Sequence, residues 1–185
     1  MNVKTICQAA MIAAVYVVIS LMFLPISFGP IQCRISEMLT VLPAFIPAAV
    51  PGVAIGCLIT NILGGAILPD IIFGTLATLI GAVFTRLLTS RLILERHNGS
   101  AVSDGDIHPG LMFRLMAVLP PVISNTVIVP LVLKYAYMYD DALLFMAFTV
   151  AVGEILSAGI LGNLLISVLC RGRIYSAVNS AFRSH

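Results

Sequence analysis

MLTVLPAFIPAAVPGVAIGCLITNILGGAILP, Met38–Pro69, holds no charged residue but carries Pro43, Pro47 and Pro51 inside it. About 20 consecutive apolar residues suffice for a helix to cross a bilayer. Proline removes a backbone donor and kinks or breaks a helix. The stretch therefore reads as one kinked helix or as two, a short one over 35–46 and a full one over 47–63. Gly64 and Gly65 end it.

The flanks repeat the pattern. Upstream, an apolar helix is expected over 4–24, closed by Pro25, Gly29 and Pro30. Lys4 before an apolar run can mimic a secretory signal, but the run exceeds a usual h-region and no A-x-A-like site follows, so it reads as a retained span. Downstream, helices are expected over 70–91, 111–134 (with Pro120 and Pro121 inside) and 141–170. Between them, 92–110 is rich in Gly, Ser and Asp and reads as the one substantial loop.

Composition agrees. The 185 residues are 60% hydrophobic and 10% charged, with mean hydropathy +1.10. Soluble domains hold roughly 45–50% apolar and about 25% charged residues. A soluble globular fold and a disordered chain are both excluded. A transmembrane barrel would alternate apolar and polar residues in segments of about ten; long unbroken runs point to an all-α integral membrane protein. Trp is absent and the basic residues are scattered, which argues against nucleic-acid binding. Cys7, Cys33, Cys57 and Cys170 lie too far apart to suggest a zinc site and read as packing residues. No metal or cofactor is expected.

Lys and Arg collect in cytoplasmic loops. With six helices and both termini cytoplasmic, the inner side holds Lys4, Arg86, Arg91, Arg96, Arg114, Arg171, Arg173 and Arg183, and the outer side only Arg34 and Lys134. Five helices score equally, because Lys4 and Arg34 exchange sides. The rule places the 92–110 loop and the C-terminus inside without choosing the number of spans.

The buried polar groups carry the functional signal. Glu154 interrupts the last apolar run, and a carboxylate inside a span usually faces a partner or a cavity. Counting back from Arg171 at about 1.5 Å per residue puts Glu154 about 25 Å up a core of about 30 Å. The same counting brings Asn61 and Asn125 into this outer third. Arg34 and Glu37 enter from the outer loop, and Asp70 opens a helix there. Each has a plainer reading: an Arg34–Glu37 ion pair at i and i+3, an Asp70 N-cap, interhelical bonds for the two asparagines. Together the six favour a ligand pocket open to the outside. Asn163 reads as packing. Ala9 and Ala13, with Ala10 and Ala14, form small-xxx-small registers on the first span, as do Gly52 and Gly56 on the third; such residues let helices approach closely. No G-x-x-x-x-G-K-[ST] phosphate loop, H-E-x-x-H or serine elbow occurs, so neither ATP use of that kind nor an intramembrane enzyme is expected.

GPIQCRISEMLTVLP (Gly29–Pro43), the Pro/Ala/Gly-rich 47–56, Asn61–Gly64, DIIFGTLATL (Asp70–Leu79) and PPVISN (Pro120–Asn125) together resemble the QueT family. These are substrate-binding S components of energy-coupling factor (ECF) transporters, assigned to queuosine precursors. The resemblance covers nearly the whole chain and is strongest over 29–80. It implies a six-helix bundle with cytoplasmic termini in a bacterial plasma membrane. Related S components carry an Ala-x-x-x-Ala motif that contacts a transmembrane coupling subunit; Ala9/Ala13 and Ala10/Ala14 match it. A pair of ATPase subunits would supply the missing phosphate loop. The implied substrate is a 7-deazaguanine such as preQ1 or queuine. A carboxylate can accept two N–H donors from its edge, and Arg34 or an Asn amide can donate to its carbonyl. Glu37, Glu154 and Asp70 are candidates for a cationic aminomethyl group, and Phe28, Phe73 or Tyr135 for stacking. The rival from another class is a stand-alone secondary transporter with Glu154 as proton carrier.

Overall fold

The computed structural model describes residues 2–27, 34–97, 110–138 and 142–170. Phe28, Cys33, most of the 92–110 loop, Tyr139, the expected helix start at 141 and the C-terminal arginines lie outside the described residues. Helix α1 spans Val3–Met22 and is followed by the one-turn α2, Leu24–Ser27. A 3-10 helix runs over Ile35–Ala44, then come α3 (Ala49–Leu63), α4 (Leu68–His97) and α5 (Leu111–Tyr135). Helix α6 (Leu143–Glu154) passes through a π-helical turn, Ile155–Leu161, into α7 (Gly162–Leu169). Among the described residues, four spans are long and apolar enough to cross a membrane: Val3–Met22, Leu68–Ser90, Leu111–Tyr135 and Leu143–Leu169. With the two shorter apolar helices they make, among the described residues, an all-α, multi-pass membrane bundle of six helices.

The Met38–Pro69 stretch is thus two helices. The chain turns at Pro47, where the Ala49 N–H bonds to the Ile46 carbonyl. Pro51 lies in the first turn of α3, where its missing donor costs nothing. The first of the pair is not an α-helix. Pro43 cannot donate, and the Thr40 hydroxyl bonds to the Glu37 carbonyl at 2.5 Å, competing for a backbone acceptor. Ten residues at about 2.0 Å each make a narrow rod of about 20 Å. With three residues per turn, Glu37, Thr40 and Pro43 fall on one ridge, and all three are buried.

This rod is the centre of the fold. Helices α1, α3, α4, α5 and α6 neighbour one another in chain order around it, and the rod touches α1, α3, α4, α5, the π turn and α7. Close approach needs small residues: a carbon added at Gly56 of α3 would lie 2.7 Å from Tyr16 Cβ of α1. Large apolar side chains such as Val18, Ile62, Phe84, Val127, Leu144 and Leu164 point outward, as a bilayer-facing surface requires.

Helix α4 continues to His97, past the loop start expected at 92. Leu92, Ile93, Leu94, Glu95 and Arg96 contain no breaker, and the first comes at Asn98-Gly99.

Candidate functional site

The N-terminal end of the 3-10 rod brings Glu37 into the bundle with its side chain fully buried. Two neighbours hold one oxygen. The Tyr16 hydroxyl of α1 donates to Glu37 Oε1 at 2.6 Å, and the Thr78 hydroxyl of α4 donates to the same atom at 3.2 Å. Ser20, one turn after Tyr16, donates to the Tyr16 carbonyl at 2.8 Å, and its oxygen lies 2.6 Å from the Ser36 hydroxyl. Helix α1 is thereby pinned to the rod beside the carboxylate.

Arg34 is the N-cap residue of the rod and is buried. Its Nη2 lies 3.9 Å from Asp70 Oδ2. Asp70 sits in the first turn of α4 and is also buried; Tyr137, in the turn after α5, donates to its Oδ2 at 3.1 Å. The Ile67 N–H donates to the Tyr137 oxygen at 3.4 Å, so three loops meet at this ion pair. Burial, before any other cause, pushes the Tyr137 phenol up, which keeps it a donor.

From α3, Asn61 Nδ2 approaches Cys57 Sγ at 3.6 Å, Arg34 Nη1 lies 4.0 Å from the same sulfur, and the Thr78 oxygen lies 3.4 Å from it. Gly74 makes room for the group: a carbon added there would stand 3.2 Å from Asn61 Nδ2, 3.3 Å from Asp70 Oδ1 and 3.8 Å from Arg34 Nη1. From the opposite side, Asn125 Nδ2 of α5 donates to Glu154 Oε1 at 2.9 Å. Glu154 is the last residue of α6, where the helix widens into the π turn; such bulges recur at functional sites. The Asn125 amide also lies close to Glu37, and the two carboxyls are within electrostatic reach of each other.

All six expected residues therefore meet in one buried cluster, although not all in the expected pairs. Arg34 pairs with Asp70, while Glu37 is held by Tyr16 and Thr78. Asp70 is not the N-cap, since α4 begins at Leu68; its carboxylate meets Arg34 and Tyr137 instead. The stacking expectation fails for Phe73 and Tyr135, which are exposed on the outer surface. Asn163 is more than packing: it donates to the Gly159 carbonyl and accepts from Arg114.

Sequence reasoning missed Tyr16, Cys57, Gly74 and Thr78. A signal existed: Cys57 and Asn61 are one helical turn apart, as are Asp70, Gly74 and Thr78 in succession. The small-residue stripe divides. Ala9 and Ala13 are buried toward α3, with the Ala9 carbonyl 3.0 Å from a carbon added at Gly52, whereas Ala10 and Ala14 are exposed.

Three acceptors of the cluster, Glu37 Oε2, Asn61 Oδ1 and Glu154 Oε2, are buried and have no hydrogen-bond partner among the described residues. A buried acceptor left unpaired costs about 1–3 kcal/mol, more when charged. Three in one cluster, with the Arg34 guanidinium beside them, suit a flat molecule with several N–H donors and a carbonyl. No group of three or more metal-ligating side chains forms a metal site among the described residues.

Comparison with known proteins supports a transport role. The profile of the family described as QueT transporter matches residues 6–171. A stretch of 77 residues is 40% identical to the "Queuosine precursor transporter QueT" of Lactococcus lactis subsp. cremoris (strain MG1363), covering 40% of this chain and 45% of that protein. The match thus spans less than half of that relative. No solved structure matches the chain significantly.

Proposed function

The chain belongs to the QueT transporter family, and from that premise we propose that it is the membrane-embedded substrate-binding subunit of an ECF-type importer for a queuosine precursor, a 7-deazaguanine such as preQ1 or queuine. The observation that carries this reading is the set of buried, unpartnered acceptors at Glu37, Asn61 and Glu154. The base edge of a 7-deazaguanine offers adjacent N–H donors and a carbonyl. Glu37 Oε2 and Asn61 Oδ1 accept from the donors, and Arg34 donates to the carbonyl.

In this reading the cluster opens to the outside, and the termini and the 92–110 loop are cytoplasmic. The chain performs no chemistry. Transport needs a transmembrane coupling subunit and a pair of ATPases, and α1 docks on the coupling subunit. Of the two alanine registers, Ala10/Ala14 serves this contact, because Ala9 and Ala13 are covered by α3.

Two measurements test the proposal. Cellular uptake of labelled preQ1 should require co-expressed coupling and ATPase subunits; undiminished uptake without them would favour a stand-alone proton-coupled transporter using Glu154. Replacing Ala10 and Ala14 together by Leu should abolish uptake yet leave binding by the purified subunit intact. Loss of binding as well would place the stripe in the internal packing.

A further inference from the structure

The buried cluster holds more acidic side chains than basic ones. The charged side chains buried among the described residues are Arg34, Glu37, Asp70 and Glu154, one cation against three carboxylates. The single guanidinium is engaged by Asp70, whose carboxylate also accepts from Tyr137. Glu37 and Glu154 remain, close to each other and bridged by the neutral Asn125 amide. Each has one oxygen bonded and one unpartnered. One guanidinium shared among three buried carboxyls leaves their burial costly.

A neutral base edge answers only half of this arrangement. Its two donors and one carbonyl need acceptors beside a donor, and that combination exists at Glu37, where Asn61 and Arg34 share the Cys57 sulfur as a neighbour and Thr78 joins Cys57 to the carboxylate. Glu154 stands on the other side, on α6, with Asn125 as its hydrogen-bond donor. We infer that Glu154 receives a cation carried by the ligand, so that the site selects 7-deazaguanines bearing a protonated amine over those whose substituent is neutral. This rests on the proposed substrate class and adds to it a charge requirement and a residue that enforces it.

The test is equilibrium binding to the purified full chain, using 7-aminomethyl-7-deazaguanine and its neutral counterpart 7-cyano-7-deazaguanine. Wild type should bind the amine about 10- to 100-fold more tightly, as expected of a hydrogen bond between charged groups. Glu154→Gln keeps the shape and the Asn125 contact; it should lose that preference, the amine and the nitrile then binding about equally. Equal affinity of wild type for the two compounds would overturn the inference and leave the substrate class standing. So would a preference that survives in Glu154→Gln. The wild-type comparison decides even if the variant does not fold. Binding of neither compound would overturn the substrate class and the charge requirement with it.

Discussion

The two ends of the bundle bury polar groups in opposite ways. At one end, where α5 begins and α7 finishes, Arg114 donates to the Ser167 hydroxyl at 2.9 Å, to Asn163 Oδ1 at 3.4 Å and to the Asn163 carbonyl at 3.3 Å. Arg86 donates to the Pro43 carbonyl at the C-terminal end of the 3-10 rod, and Phe45 meets Phe113 edge to face at 5.6 Å. Donors there have acceptors, and an apolar cluster of Val41, Ala44, Ala117, Val118 and Ile166 surrounds them. At the other end carboxyl and amide oxygens are buried without partners: Glu37 Oε2, Asn61 Oδ1 and Glu154 Oε2 have no hydrogen-bond partner among the described residues. The first arrangement holds helices together by itself. In the proposed function, the second is completed by a ligand that brings hydrogen-bond donors.

The comparison makes ranked predictions. Gly74→Leu should have the largest effect on binding, a loss on the order of 100-fold, because the new side chain occupies the space among Asn61, Asp70 and Arg34. Gly159→Ala is its control: the added carbon meets Ile155 at an ordinary 3.5 Å, and affinity should not change. Isothermal titration with preQ1 measures both, and wild-type affinity in Gly74→Leu would place the ligand elsewhere.

Glu37→Gln should weaken binding by about 10- to 100-fold, since it removes a charged acceptor from the base edge. Melting in detergent without ligand should change little, because the amide keeps the size and can still accept from Tyr16. A large drop in melting temperature with unchanged affinity would make Glu37 a packing element like those at the opposite end.

Tyr16→Phe leaves the carboxylate in place but frees it from α1. The loss of one positioning hydrogen bond should cost about 2- to 10-fold in affinity. Tyr16 acts through Glu37, so the loss should disappear when the substitution is made in a Glu37→Gln background; fully additive losses would show that the two act independently.

Arg114→Gln is the reverse case. It should lower stability by about 1 kcal/mol, read as an earlier melting transition, by removing hydrogen bonds to half-buried acceptors. Affinity should stay within about twofold of wild type, because distant sites with no shared partner act independently. A marked loss of affinity would mean that the two ends are coupled.

The two ends were unequally legible in the sequence. Charged or amide residues inside apolar runs stand out, because a bilayer makes them expensive. Counting rise per residue was enough to bring Asn61, Asn125 and Glu154 to a common depth. Hydroxyls and thiols give no such contrast: Thr78 and Cys57 are at home in any membrane helix, and only their spacing from Asp70 and Asn61 ties them to the cluster. Span-end aromatics mislead in the opposite sense. Tyr135 faces outward, and Phe73 likewise; aromatic residues are favoured at interfaces without any ligand. The conformation of 35–44 was hidden as well. Its apolar pattern suits an α-helix, and its 3-10 winding follows from Pro43, the Thr40–Glu37 bond and the confined centre of the bundle. Pairing depended on that winding. An Arg34–Glu37 ion pair is what α-helical spacing suggests, whereas the fold delivers Asp70 to Arg34 and leaves Glu37 to Tyr16 and Thr78.

The most direct test of the central claim is an experimental structure of the purified chain with a bound 7-deazaguanine. The account predicts the ring inside the bundle, with ligand N–H groups at hydrogen-bond distance, about 2.7–3.2 Å, from Glu37 Oε2 and Asn61 Oδ1 and the ligand's amine at Glu154 Oε2. Ligand density outside this cluster, for instance in the apolar groove of about 500 Å³ lined by Ile80, Phe84, Ile123 and Val127 between α4 and α5, with those three oxygens still unpartnered, would contradict it.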